Sequence, residues 1–215
     1  TIRTQPMKHL FAAISLWISS AAVAQQPDSA RFYFHKGMEE KNAKRYLVAS
    51  QCFEKATSFN TSDVNILVEH AFTCLEMRKT DQAKRLFTRA HELEPANRRV
   101  IGELMQMCFS YRQWARAIEF ATLCKGCDGA MRILGMSHYQ QEEYIMAVTE
   151  LTAALAQNPN DAEAAYTLAR SYVDMEDYKK ALTYYEKLMH LEAAKPIWVY
   201  EYGLLLYNES KYPQA

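Results

Sequence analysis

Small and bulky apolar residues recur along the chain with a long and nearly constant period. Six short segments end in alanine, and five of the six begin with an aromatic residue three positions earlier. The alanines are Ala49, Ala83, Ala117, Ala147, Ala181 and Ala215, with intervals of 34, 34, 30, 34 and 34 residues. Self-similarity at a fixed period is the signature of a repeat architecture, so the chain from residue 30 onward is predicted to be an array of equivalent units.

The spacing and residue types resemble the tetratricopeptide repeat, a helix-turn-helix unit of about 34 residues. The segment from residue 128 matches this pattern best, with Leu134-Gly135, Tyr144, Ala147 and Pro159. The resemblance implies an all-α fold, a right-handed α-solenoid of stacked helix pairs with about five complete repeats and a truncated sixth. The predicted repeats are residues 30–63, 64–97, 98–127 (shortened), 128–161, 162–195 and 196–215 (truncated).

Small residues are expected wherever the two helices of a pair cross closely, because a larger side chain would overpack the crossing. On the first helices these positions are Gly37, Ala71, Gly135, Ala169 and Gly203. Aromatic residues four positions after the recurring alanines are expected to fill the wedge between successive pairs; they include Phe53, Phe87 and Tyr185. Pro95 and Pro159 should end second helices, and Asn97 and Asp161 should cap the helices that follow.

Composition agrees with a folded helical protein. The chain has only 6 glycines and 6 prolines in 215 residues, which argues against a turn-rich β-sandwich or barrel. Lys and Arg together number 25 and Asp and Glu 25, so the formal net charge is +0. A chain with no net field is a poor candidate for nucleic-acid binding or for an anionic membrane surface.

The first residues are predicted to be a targeting segment and not part of the fold. Residues 7–24 combine a basic start, a short apolar run and an Ala-x-Ala site, as in a secretory signal peptide. The run is interrupted by serines and is shorter than a membrane span, so no span is expected after cleavage. Residues 1–6 precede Met7 and are interpreted as an upstream remnant, and residues 25–29 as a lead-in. The expected location is secreted, either periplasmic or in the cell envelope.

Cys124-Lys-Gly-Cys127 is the one motif with a conceivable reactivity. Redox pairs of this spacing work at a helix N-terminus, whereas Cys124 is predicted at a helix C-terminal end, where the dipole disfavours a thiolate. A local disulfide fits an oxidising compartment, and simple core packing at a small-residue position is the other interpretation. The 30-residue interval around this motif predicts a shortened second helix followed by a tight glycine-containing turn.

No catalytic, metal or cofactor site is predicted from the remaining motifs. The histidines after His9 are scattered over different repeats without metal-ligand spacing. The sequence contains no G-x-S-x-G, G-x-G-x-x-G or Walker motif. The chain is therefore predicted not to be an enzyme and to need no cofactor, with thiol-disulfide exchange at Cys124 and Cys127 as the third option for its function.

The predicted binding surface is the concave groove that tetratricopeptide proteins form from their first helices. Helical spacing assigns to this groove Phe34, Met38, Val68, Phe72, Arg99, Phe109, Arg132, Met136, Tyr139, Tyr166, Arg170, Tyr200 and Tyr207. This set is apolar and aromatic with isolated arginines, and about half of it is expected to be partly buried.

Two functions fit this groove. The leading hypothesis is a protein–protein interaction scaffold that binds a partner peptide or helix. The alternative is a cell-wall glycan module in which Tyr139, Tyr166, Tyr200 and Tyr207 stack on sugar faces. Because the sixth repeat stops at Ala215, self-association through this end is a further expectation.

Overall fold

The computed structural model describes the backbone of residues 26–190 and 195–211, with side chains from residue 29 to residue 209 outside the gap. Within these residues there are eleven α-helices and no strand. They are α1 (Gln26–Asn42), α2 (Tyr46–Phe59), α3 (Val64–Glu76), α4 (Thr80–Leu93), α5 (Arg98–Ser110), α6 (Trp114–Leu123), α7 (Ala130–Gln140), α8 (Tyr144–Gln157), α9 (Ala162–Asp174), α10 (Tyr178–Met189) and α11 (Pro196–Lys211). The predicted signal peptide, residues 7–24, lies outside the described residues. None of the described helices is both long and apolar enough to cross a membrane.

The ends of the helices follow the predicted cap and proline positions. The side chains of Asp63, Asn97 and Asp161 each accept a hydrogen bond from a backbone amide in the first turn of the next helix. These carboxylate and amide oxygens satisfy donors that have no partner within the helix. Pro95 and Pro159 follow directly after the C-cap residues of α4 and α8. Both predictions are confirmed.

The turn inside each pair contains a non-glycine residue in the left-handed region. The five residues have φ between 55° and 63° and are Lys44, Arg78, Arg112, Glu142 and Glu176. The amide of the next residue bonds back to a carbonyl five positions earlier, as from Glu143 to His138 at 2.9 Å. This pattern ends the first helix with a Schellman-type cap. The turns therefore repeat at the same intervals as the alanines.

The helices divide into two compact units, with the boundary after Pro95. In the first unit, α1 packs on α2, α2 on α3 and α3 on α4. Phe53 and Phe87 are fully buried at the wedge positions. A Cβ atom added at Gly37 would lie 2.7 Å from Cε1 of Phe53, which is closer than real atoms approach. The predicted small-residue requirement is therefore confirmed at Gly37.

In the second unit, consecutive helices from α5 to α11 pack along the chain. A Cβ atom added at Gly135 would lie 2.5 Å from Cγ of Leu151 on α8, so this crossing also requires glycine. At Gly203 on α11 the same addition would meet nothing within 4 Å. The expected overpacking at Gly203 is therefore wrong for the described residues, because no second helix among them crosses α11 at this point.

The shortened interval has the predicted local structure. Helix α6 has 10 residues, whereas the other second helices have 12 to 14. Cys124 caps its C-terminus and is joined to Cys127 by a disulfide. Gly129 then adopts φ 71° immediately before α7, a conformation that glycine accepts without steric cost. The all-α fold of paired, consecutively packed helices is thus confirmed.

Candidate functional site

In the first unit, the predicted groove residues Phe34, Met38 and Phe72 are half-buried on α1 and α3. The rings of Phe34 and Phe72 are held against the core, with Phe34 6.0 Å from Phe53 and Phe72 edge-on to Phe87 at 5.1 Å, between ring centroids. Val68 differs, since its side chain is only 4% exposed and belongs to the core. The accessible part of this surface is therefore apolar, and its two aromatic rings have fixed orientations.

A salt bridge borders this surface. Lys41 on α1 places its ammonium 2.6 Å from the Glu69 carboxylate on α3 and 5.5 Å from the ring centroid of Phe72. Both charged side chains are largely buried, so each charge is matched by the other and not by solvent. The pair connects the first helices of two successive repeats.

In the second unit, Arg132 on α7 joins the neighbouring first helices. Its Nε lies 2.9 Å from the Asp161 carboxylate at the start of α9, and its guanidinium lies 6.0 Å from the ring centroid of Phe109 on α5. The cation thus pairs with a helix cap and rests on an aromatic face, two favourable contacts for a guanidinium. Arg132 therefore holds its neighbours on this surface in place and also adds a positive charge to it.

Tyr139 and Arg170 repeat this arrangement one step along the chain. The guanidinium of Arg170 on α9 lies 5.9 Å from the ring centroid of Tyr139 on α7. The Asp174 carboxylate lies near the Tyr139 hydroxyl. Burial, which outweighs the nearby Arg170 cation, raises the pKa of Tyr139 well above its usual range, and the Asp174 carboxylate raises it further. Tyr139 therefore stays neutral and keeps its hydroxyl proton as a donor.

Glu201 of α11 is the centre of a polar cluster between α9, α10 and α11. It accepts hydrogen bonds from the hydroxyls of Tyr185 at 2.7 Å and Tyr166 at 3.2 Å, and lies 3.8 Å from Arg170. The Tyr166 ring lies 5.6 Å from that of Trp198, between centroids. Burial and the Glu201 carboxylate together raise the pKa of Tyr185 above its usual range. The cluster attaches α11 to the preceding pair.

The remaining predicted groove residues of the second unit differ in accessibility. Tyr200 and Tyr207 on α11 are 66% and 56% exposed, and Arg99 on α5 is exposed. Met136 is half-buried on α7. Of the four tyrosines considered for sugar stacking, Tyr139 and Tyr166 have neighbouring side chains of this chain against their rings. Tyr200 and Tyr207 are the two with predominantly exposed side chains.

The cysteines and histidines form no comparable site among the described residues. Cys52, Cys74 and Cys108 are buried thiols, and burial raises the pKa of Cys74. Cys124 is both disulfide-bonded and buried, so the two interpretations of this residue hold together. His70 is buried 3.0 Å from the Ser50 hydroxyl. No group of three or more potential metal ligands occurs in the part of the chain that the structure describes.

Sequence reasoning missed the charged partners of the groove residues. Lys41, Glu69 and Glu201 all lie on first helices. None of them was among the residues predicted to line the groove. Glu201 is 35 residues from Tyr166 and 16 from Tyr185, intervals that belong to no motif. The only available signal was the helical register, which places Lys41 one turn after Met38.

Parts of the chain match known protein families and one curated relative. Two family models described as tetratricopeptide repeat match residues 30–63 and 166–215, and a model described as anaphase-promoting complex, cyclosome, subunit 3 matches residues 130–188. A curated relative, BBSome complex member BBS4 of Bos taurus, is 31% identical over 78 residues. That match covers 36% of this chain and only 15% of the bovine protein.

Solved structures share the fold at lower identity. YrrB, whose title describes a tetratricopeptide repeat protein with an unusual peptide-binding site, has a TM-score of 0.69 and 17% identity, with 89% of this chain and 97% of that chain covered. MamA from Desulfovibrio magneticus RS-1 has a TM-score of 0.65 and 16% identity, covering 79% of this chain and 98% of that chain. At these identities the likeness concerns the fold alone. Together with the repeating turns, it shows a fold of stacked helix pairs like that of tetratricopeptide repeat proteins, and the tetratricopeptide models match residues 30–63 and 166–215 of this chain.

Proposed function

We propose that this chain is a non-catalytic protein–protein interaction scaffold of the cell envelope that binds a partner peptide or helix on the aromatic side chains of its first helices. The observation that carries the proposal is that, within each unit, aromatic residues of the first helices are partly exposed and held in place by neighbouring side chains. Aromatic and arginine side chains dominate the energy of protein interfaces, and fixed orientations reduce the entropy lost on binding.

The comparisons support an assembly role without identifying a partner. YrrB is titled as a peptide-binding repeat protein, and BBS4 and the anaphase-promoting complex subunit are named as members of complexes. Repeat arrays present extended surfaces on which such contacts form.

The envelope location is proposed from the sequence of residues 7–24. We expect the full chain, expressed in a bacterial cell, to lose its first residues and to begin at Gln25 in the periplasmic fraction. Amino-terminal sequencing of fractionated protein tests this. A chain that keeps residues 7–24 and stays in the cytoplasm would refute the location while leaving the binding surface unaffected.

The binding surface is tested by photo-crosslinking in cells. A photoreactive amino acid is placed at Gln106, which is exposed on first helix α5, and in a separate variant at Gln51, which is exposed on second helix α2. We expect defined adducts from Gln106 and none from Gln51. Phe72→Ala with Tyr139→Ala should remove these adducts.

The matched control for that pair is Phe32→Ala with Ile145→Ala, which truncates side chains that are 60% and 72% exposed and outside the assigned surface. Because Phe72 and Tyr139 also contribute to packing, Tyr200→Ala with Tyr207→Ala serves as a second variant at accessible positions. Circular dichroism confirms folding of each. Equal adducts at Gln51 and Gln106, or adducts that survive both groove variants, would contradict the proposal.

A further inference from the structure

The junction between α9 and α11 is open at a place where the previous junction is filled. Between α7 and α9, Tyr139 lies against Arg170 and Asp174. The residues 34 positions later are Val173, Leu204 and Asn208. Valine is too short to replace the tyrosine ring, and leucine carries no charge to pair. A cleft of about 1000 Å³ remains between α9, α10 and α11, with these three residues in its lining.

The floor of this cleft is apolar and partly accessible. Val173 is half-buried, Leu204 is 47% exposed and Tyr178 is 38% exposed, while Leu205 is buried beneath them. Exposed apolar surface in a concave site favours a ligand that brings a large apolar side chain. The apolar floor accepts any large apolar side chain, whereas the charged residues around it determine which ligand charge is favoured.

The cleft carries an excess of carboxylates. Its acidic residues are Glu176, Asp177, Glu201 and Glu209, and its basic residues are Arg170 and Lys179. Glu201 pairs with Arg170 and two tyrosine hydroxyls, and Asp177 pairs with Lys180 at 2.7 Å. Among the described residues Glu176, Glu209 and Lys179 have no ion-pair partner, so unpaired carboxylates outnumber unpaired cations by two to one in the lining. This excess of negative charge favours a cationic ligand.

We infer that this cleft binds a segment of a partner protein in which a large apolar residue lies next to lysine or arginine. The apolar side chain contacts Val173 and Leu204, and the cation lies near Glu176 and Glu209. The inference rests on the proposed function, since it names the chemical class of the partner. Attraction between exposed charges selects the sign of the ligand and weakens with added salt.

The direct test is a titration of the full chain with two fluorescent peptides that differ only in charge. One alternates leucine and lysine, and the other has glutamate in place of each lysine. We expect the lysine peptide to bind, with affinity falling as salt is raised, and the glutamate peptide not to bind. Glu176→Lys with Glu209→Lys should weaken the lysine peptide about tenfold, corresponding to two exposed charge pairs, and should admit the glutamate peptide.

Two further variants separate the cleft from the surface in general. Glu142→Lys changes the residue at the same left-handed turn position one repeat earlier and should leave binding unchanged. Val173→Tyr with Leu204→Arg transfers the filled arrangement of Tyr139 and Arg170 into the cleft and should abolish binding of the lysine peptide. If the double variant folds poorly, Leu204→Arg alone, at an exposed position, fills the cleft in part and should weaken binding of the lysine peptide.

Absence of binding by the lysine peptide, equal binding of both peptides, or binding that persists after the cleft is filled would each overturn the inference. The proposed function fails by a different result, namely loss of selectivity between Gln106 and Gln51 in crosslinking. Adducts at Gln106 that require Phe72 and Tyr139, together with an inactive cleft, would leave the scaffold intact and refute only this partner class.

Discussion

The third and fourth helix pairs build the same crossing with bulky and small residues exchanged. In the α7–α8 pair, Gly135 on the first helix faces Leu151 on the second. At the same repeat positions in the α5–α6 pair stand Met105 and Ala121, both fully buried. Only one side of each crossing carries a large side chain. A large residue on the first helix is therefore accommodated where the residue at the matching position of the second helix is small, and a rule that requires a small residue on the first helix alone is too narrow.

The largest effect is expected from Leu151→Ala. Removing this fully buried side chain leaves a cavity opposite Gly135 and should reduce the free energy of unfolding by about 2 to 5 kcal/mol. Adding Gly135→Ala to this variant should recover part of the loss, because the atoms of Leu151 that a Cβ at residue 135 would strike are gone. Denaturant unfolding of the single and double variants measures the coupling. Purely additive losses would show that the two positions do not share one volume.

In the third helix pair, the corresponding test enlarges the small residue of the second helix. Ala121→Leu should overpack the crossing against Met105 and cost about 1 to 3 kcal/mol. Met105→Ala combined with Ala121→Leu places the large residue on the second helix, as in the fourth pair, and should restore most of the stability. Thr122→Leu is the control, since Thr122 is the exposed neighbour on the same helix. A double variant no more stable than Ala121→Leu would contradict the exchange of volumes.

Helix α11 offers a different contrast, because it is attached by polar contacts as well as by the packing of Trp198 and Leu205. Tyr185→Phe removes the hydroxyl that donates to Glu201 and should cost about 1.5 kcal/mol. Tyr178→Phe, at an exposed tyrosine of the same helix, should cost less than about 0.5 kcal/mol. Thermal unfolding compares the two variants. Equal losses would show that the Glu201 cluster does not attach α11.

The same tyrosine predicts a loss of stability in alkali. Burial and Glu201 raise the pKa of Tyr185, so the folded chain retains this proton where an unfolded tyrosine, with pKa about 10, has lost it. Above pH about 10 the unfolded state therefore binds fewer protons, and the free energy of unfolding falls as pH rises. The slope should be smaller in Tyr185→Phe. Unfolding measured between neutral and alkaline pH tests this, and an unchanged slope would exclude Tyr185 as its source.

The sequence was sufficient for the repeat but not for its contacts. The alanine intervals, Pro95, Pro159, Asn97 and Asp161 predicted the helix pairs because each reflects a local backbone requirement. The exchange at Met105 escaped prediction because volume is shared between helices and is invisible in one position. The left-handed turns carry lysine, arginine and glutamate where glycine would be expected. The Glu201 cluster joins residues from three helices, so no local sequence pattern predicts it.

The smallest predicted effect compares the two glycines that occupy one repeat position on α7 and α11. Gly203→Ala adds a methyl group where nothing lies within 4 Å, and alanine favours the helix by about 1 kcal/mol over glycine. We expect this variant to stabilise α11 by up to about 1 kcal/mol, measured by amide exchange within the helix, whereas Gly135→Ala alone should destabilise the α7–α8 pair. The sign of the effect is decided by the helix that crosses the position and not by the repeat register. If Gly203→Ala destabilises α11, then a close contact covers this position in solution, and the open crossing described for α11 is wrong.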